Sequence, residues 1–144
     1  MIGLKITWNT MTRQQQKEEK LKKEEAFLKS LIGKKLTGLE KNKFRQTTVW
    51  IKFRERFKGA IDPITLKKVS KRFQLHHMDL NPEHYTDLKF DKFVPLNGTT
   101  HDLIHYLYGY YRKDKQILKR IQKLLDKMVE INDGKDICDF KKKQ

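Results

Sequence analysis

The run Phe93-Val94-Pro95-Leu96, closed by Asn97-Gly98 and followed at once by helix-forming residues, constrains this chain more than any other segment. Four apolar residues containing a proline make a short strand at an edge or a strand end, because proline has no N–H to give a central ladder. Asn-Gly is a strong turn signal. A helix is then expected from Thr99 or Thr100, either of which can N-cap it, through His101 to about Tyr111. The other strand-like segment is Val69 to His77, with Phe73 and Leu75 on one face. Between the two, residues 79–92 are polar, contain Pro82 and read as a loop.

Helices are expected elsewhere. Thr12 to Ile32 is built from strong helix formers, and Glu18/Lys22, Glu19/Lys23 and Glu25/Lys29 supply i,i+4 pairs. Its apolar residues Leu21, Phe27, Leu28, Leu31 and Ile32 gather toward the C-terminal end, so that end docks and the start is a solvated arm. Gly33 and Gly38 bracket a break. In segment 34–58, Val49, Ile51 and Phe53 would suit a strand, whereas Trp50, Phe53 and Phe57 share a helical face; the helix is preferred. Asp62-Pro63 starts a turn. A last helix near 113–132 puts Ile117, Ile121, Leu124, Met128 and Ile131 on one side. That stripe can pack on the chain's own module or form a short coiled-coil seam, which implies a monomer or a weak dimer through this helix. The expected class is α+β, predominantly helical outside a small β-hairpin. The expected division is a basic helical arm over 1–45, a module with its C-terminal helix over 46–132, and a charged tail over 133–144.

Charge narrows the partners. The formal net charge is +15, and 20 of the 33 basic side chains precede residue 76, against 7 of the 18 acidic ones. A basic half of this kind suits a polyanion, nucleic acid being the commonest. Lys41, Lys43, Arg45, Lys52, Arg54, Arg56, Lys71 and Arg72 are the candidate DNA contacts. They offer salt-dependent phosphate affinity but no base readout. No stretch approaches the roughly 18 apolar residues of a membrane span, and the first residues lack the apolar core of a signal peptide. A cytoplasmic protein is expected. The lone Cys138 agrees, since one cysteine makes neither an intrachain disulfide nor a thiolate zinc site.

Four of the five histidines fall in pairs, His76-His77 and His101/His105. The second pair is i,i+4 on a helix, so both rings can reach one ion. Consecutive strand residues face opposite ways, so one of His76 and His77 can bind metal while the other faces substrate. His84 stands in the loop and reads as a solvated side chain.

Leu75-His76-His77-Met78-Asp79, then a loop, then Asp91-Lys92-Phe93-Val94-Pro95-Leu96-Asn97-Gly98-Thr99-Thr100-His101-Asp102-Leu103-Ile104-His105, closely resembles the HNH endonuclease motif. The likeness spans about residues 46–108 and is greatest to the small versions found in phages and mobile elements; it is also similar to the nuclease domain of DNase colicins. For a phage or mobile-element protein, the compartment would be the bacterial cytoplasm. The resemblance implies a ββα-metal fold with flanking helices. It implies that His77 is the general base and that His76, His101 and His105 hold one divalent ion. Mg²⁺ or Mn²⁺ would serve catalysis, although such a site also binds Zn²⁺ or Ni²⁺. The implied products of DNA cleavage carry 5′-phosphate and 3′-hydroxyl ends. A free imidazole, with a pKa of about 6.5, suits the base at cellular pH.

The chain departs from the family pattern twice. Lys92 stands where the family has a loop-bracing Asn, and a lysine has donors only. Lys92 would contact phosphate instead, or Asp87, Asp91 or Asn97 would take over the brace. A weak or inactive HNH-shaped DNA-binding protein is the alternative reading. The second departure is at the two Cys-x-x-Cys knuckles of many relatives, where this chain has Asp62-Pro-Ile-Thr65 and Asn97-Gly-Thr-Thr100. Side chains of Asp62, Thr65, Asn97 and Thr100 are expected to brace these turns in place of a structural zinc.

Overall fold

The computed structural model describes residues 11–132, so the expected tail over 133–144, with Cys138, lies outside the described residues. The chain divides into two compact units, one up to Asn97 and the other from Gly98.

In the first unit, helix α1 covers Arg13–Leu31. Thr12 caps it through a reciprocal box with Gln15, which satisfies two otherwise orphaned N–H groups. Of its residues only Leu31 is fully buried, so the helix docks by its C-terminal end. A second attachment lies further back: the Glu24 carboxylate accepts from the Thr48 and Val49 amides at 2.6 and 3.3 Å and from the Thr48 hydroxyl at 3.1 Å. These amides open helix α3, where a negative charge is favoured.

The single helix expected within 34–58 is two helices, α2 (Gly38–Phe44) and α3 (Thr48–Glu55). Threonines set the start of α2 and the division between the two. Thr37 forms a capping box with Glu40, and the buried Thr47 both donates to the Phe44 carbonyl (2.7 Å) and accepts from the Trp50 amide (3.3 Å). Each hydroxyl offers the backbone a better partner than a continued helix would.

Strand β1 is only Gln74–His77 and pairs antiparallel with β2, Phe93–Leu96. Gln74 stands opposite Leu96, Leu75 opposite Pro95, His76 opposite Val94 and His77 opposite Phe93. The strand expected from Val69 is shorter because its first half belongs to a turn. Val69 donates to the Ala60 carbonyl at 2.9 Å, and Phe73 turns back on the Ser70 carbonyl at 3.1 Å. Leu66 closes that turn with φ of 57°, a left-handed conformation uncommon for a branched side chain.

Two apolar clusters hold this unit. Phe53, Phe57, Val69, Phe73 and Phe93 form one; Leu31, Leu36 and Phe44 form the other; Trp50 and Leu88 pack against both. Full burial of each phenylalanine contributes about 1.5–3 kcal/mol. Because Phe93 belongs to the first cluster, the face of β2 opposite His77 is anchored in the core.

In the second unit, α4 runs Gly98–Tyr111 and α5 Ile117–Ile131, packed against each other. The first of these starts before Thr99 and Thr100, and Thr100 is a buried helical residue rather than a cap. The second starts later than expected because Asp114 builds a turn, accepting from the Gln116 amide at 2.8 Å and pairing with Arg120. On α5, Ile117, Ile121 and Met128 are half-buried while Leu124 and Ile131 are exposed. Among the described residues, no helix is long and apolar enough to cross a membrane.

Candidate functional site

The hairpin and α4 carry the histidines. His76 and His77 end β1, and His101 and His105 stand one turn apart on α4 with ring centroids 4.6 Å apart. His76, His101 and His105 each offer a ring nitrogen, and these nitrogens all lie within 4.8 Å of one another. The three lie close enough to hold a metal ion. Nitrogens at about 2.1 Å from one tetrahedral ion stand about 3.4 Å apart, so the rings would draw closer together on binding it. Asp102 lies 3.3 Å from Nδ1 of His101, a placement that would favour a proton on that nitrogen and leave Nε2 to a metal.

His77 is held differently. Its ring lies flat on Phe93, its register partner, with centroids 4.5 Å apart and planes 3° from parallel. Nε2 is buried and has no hydrogen-bond partner among the described residues. Burial lowers the pKa below the ordinary 6.5; the nearby Asp79 charge opposes that shift and Lys92 adds to it. The ring is therefore more firmly neutral at cellular pH than a free imidazole, which corrects the expected unshifted value.

Asp79 organises the loop between the strands. Its Oδ2 accepts from Lys92 Nζ at 2.9 Å and meets His84 Nδ1 at 2.8 Å, and its Oδ1 accepts from the Asn81 amide at 3.0 Å. These bonds, that from Lys92 foremost, hold its carboxyl well below the usual carboxylate range. The same bond raises the Lys92 pKa. Asp87 stands 4.0 Å from Lys92, while Asp91 is exposed and Asn97 is engaged elsewhere. Lys92 thus braces the loop as a donor bound to a carboxylate. His84, expected to be solvated, is tied into this network although exposed. The sequence contained one hint: Asp79-x-Asn81-Pro82 is an Asx-turn pattern, in which an aspartate bonds the amide two residues on.

Asp62 and Asn97 join the two turns. Fully buried Asp62 accepts from the Ile64 and Thr65 amides through Oδ1 (2.9 and 3.2 Å) and from the Asn97 amide through Oδ2 (3.0 Å). Asn97 Oδ1 accepts from the Ser70 amide at 2.8 Å. Thr65 enters this network through its backbone amide, where a side-chain bond was expected, and Thr100 is buried.

Most of the candidate phosphate contacts are at the surface. Lys43, Arg45, Lys52, Arg56, Lys71 and Arg72 are exposed and Lys41 is half-exposed. Lys41 and Arg45 lie over the Tyr85 ring at 5.0 and 5.9 Å, and Arg56 lies over Phe90 at 4.6 Å. Arg54 serves the fold instead: it donates to the Phe73 carbonyl at 2.7 Å and covers the Phe73 ring.

No protein-family model, curated protein or solved structure matches this chain.

Proposed function

We propose that this protein is a metal-dependent endonuclease of the HNH type, cutting DNA phosphodiesters to leave 5′-phosphate and 3′-hydroxyl ends. The observation that carries the reading is the convergence of ring nitrogens of His76, His101 and His105 next in sequence to a neutral His77. His76, His101 and His105 would hold one divalent ion, which would supply positive charge near the scissile phosphate and the departing 3′ oxygen. His77 takes the proton of the attacking water. Nε2 is buried, so Nδ1 is the nitrogen left to do so, and the flat contact with Phe93 holds the ring plane during the transfer. The imidazolium so formed has no acceptor at Nε2, which makes it costly and favours passing the proton on. Exposed Lys43, Arg45, Lys52, Arg56, Lys71 and Arg72 supply non-specific affinity for the DNA backbone. Lys92, bound to Asp79, holds the loop rather than a phosphate.

The test is nicking of supercoiled plasmid in Mg²⁺, Mn²⁺, Zn²⁺ or Ni²⁺. The intact protein cuts, and His77→Ala stops cutting while leaving metal binding in place. If the intact protein cuts no DNA in any of these ions, the reading fails and a DNA-binding protein of HNH shape remains.

A further inference from the structure

The C-terminal half of α4 presents an open cleft of about 290 Å³, lined by His105, Tyr106, Gly109, Tyr110, Arg112 and Lys113. Tyr106 and Tyr110 are 71% and 58% exposed, unusual for two large rings one turn apart on a helix. Gly109 lies between them, although glycine in a helix interior costs about 1 kcal/mol against alanine. Neither backbone nor packing calls for it. Its φ is not left-handed, and a Cβ placed there meets nothing within 4 Å. What the missing side chain provides is open floor in the cleft that both tyrosines line.

We infer that this face is a stacking platform for single-stranded nucleic acid, Tyr106 and Tyr110 taking bases and Arg112 and Lys113 taking the adjoining phosphates. Aromatic faces stack on any base, and cations beside them follow the backbone. The two cations at the end of the cleft favour a polyanion over a second copy of this chain, whose net charge is +15. His105 lines the same cleft, so the platform receives the strand that runs on from the proposed metal site. Its role in cleavage rests on the nuclease reading, whereas the binding itself does not.

Anisotropy of labelled oligothymidylate, oligouridylate and a DNA duplex, titrated with the full chain in EDTA, tests the inference without cleavage. Replacing both tyrosines (Tyr106→Ala with Tyr110→Ala) weakens single-strand binding about tenfold or more and duplex binding less than about twofold. The Phe pair at these positions retains the affinity. Gly109→Leu fills the floor, so binding falls while the thermal midpoint holds or rises, opposite signs that misfolding cannot produce. The thymidylate and uridylate arms show whether the strand is DNA, RNA or either. Unchanged single-strand affinity, or an equal loss on duplex, overturns the inference. So does a change in sedimentation with binding intact, which would make this face a self-association surface. Absence of cleavage by the intact protein would defeat the nuclease reading and leave this result standing.

Discussion

The ammonium of Lys92 lies 2.9 Å from Oδ2 of Asp79, tying the residue just before β2 to the loop that leaves β1. Both side chains are partly accessible, and an exposed ion pair does little for global stability. Its effect is local, since the Met78 amide also donates to the Lys92 carbonyl at 2.9 Å. Lys92→Ala is expected to slow the proposed cleavage by about tenfold to a hundredfold through misplacement of the His77 segment, with little change in thermal midpoint. Exchanging the pair, Asp79→Lys with Lys92→Asp, restores part of the rate. Full activity in Lys92→Ala shows that the loop needs no such brace.

Asp62 makes a larger claim on stability. Three backbone N–H groups point at one fully buried carboxylate, and truncation strands all of them. Asp62→Ala is expected to cost about 3–5 kcal/mol in chemical denaturation. Asp62→Asn keeps one acceptor oxygen but turns an N–H₂ toward another donor, so roughly half that loss is expected. A loss below about 1 kcal/mol in Asp62→Ala would mean the two turns hold without it.

How much of this was legible depended on whether the signal was periodic. α1 is periodic in charge, and its bounds fall within a residue of those read from the sequence. Phe93–Leu96 is bounded by its own chemistry and is a strand as expected. The break between α2 and α3 turns on a single hydroxyl, that of Thr47, which a count of apolar spacings passes over. The three histidines expected to share an ion lie close enough to hold one. Asp79 and His84 escaped notice because they meet across five residues of a loop with no period. The flat contact of His77 on Phe93 depends on strand register, which pairs two residues sixteen apart, and local pattern does not fix that.

Burial of the His77 ring sets a pH dependence whose sign can be stated. Its folded pKa lies below the ordinary 6.5, so as pH falls the unfolded chain takes the proton first. The contribution to stability is intact above about 6.5 and is lost as pH falls through the folded value. In metal-free protein the His77 ring signals are expected to titrate below 6.5 by NMR. Phe93→Leu, which removes the stacked ring and admits water, moves the midpoint up toward that value. A wild-type midpoint at or above 6.5 would mean that Nε2 finds an acceptor in solution.

Metal binding offers a measurement free of catalysis. An ion that binds only the folded chain raises its stability by about 2.7 kcal/mol when present at a hundred times its Kd. Zn²⁺ or Ni²⁺ is therefore expected to raise the thermal midpoint by several degrees, and EDTA to reverse the shift. His76→Ala, His101→Ala and His105→Ala each remove a ligand, and each abolishes the shift or reduces it sharply. His84→Ala is the control, because its ring is engaged by Asp79 and is not one of the three converging imidazoles. Below about pH 6 the shift shrinks for the intact protein, since protons compete for the imidazoles. If the shift survives all three single substitutions, the ion binds elsewhere and the convergence of His76, His101 and His105 has another purpose.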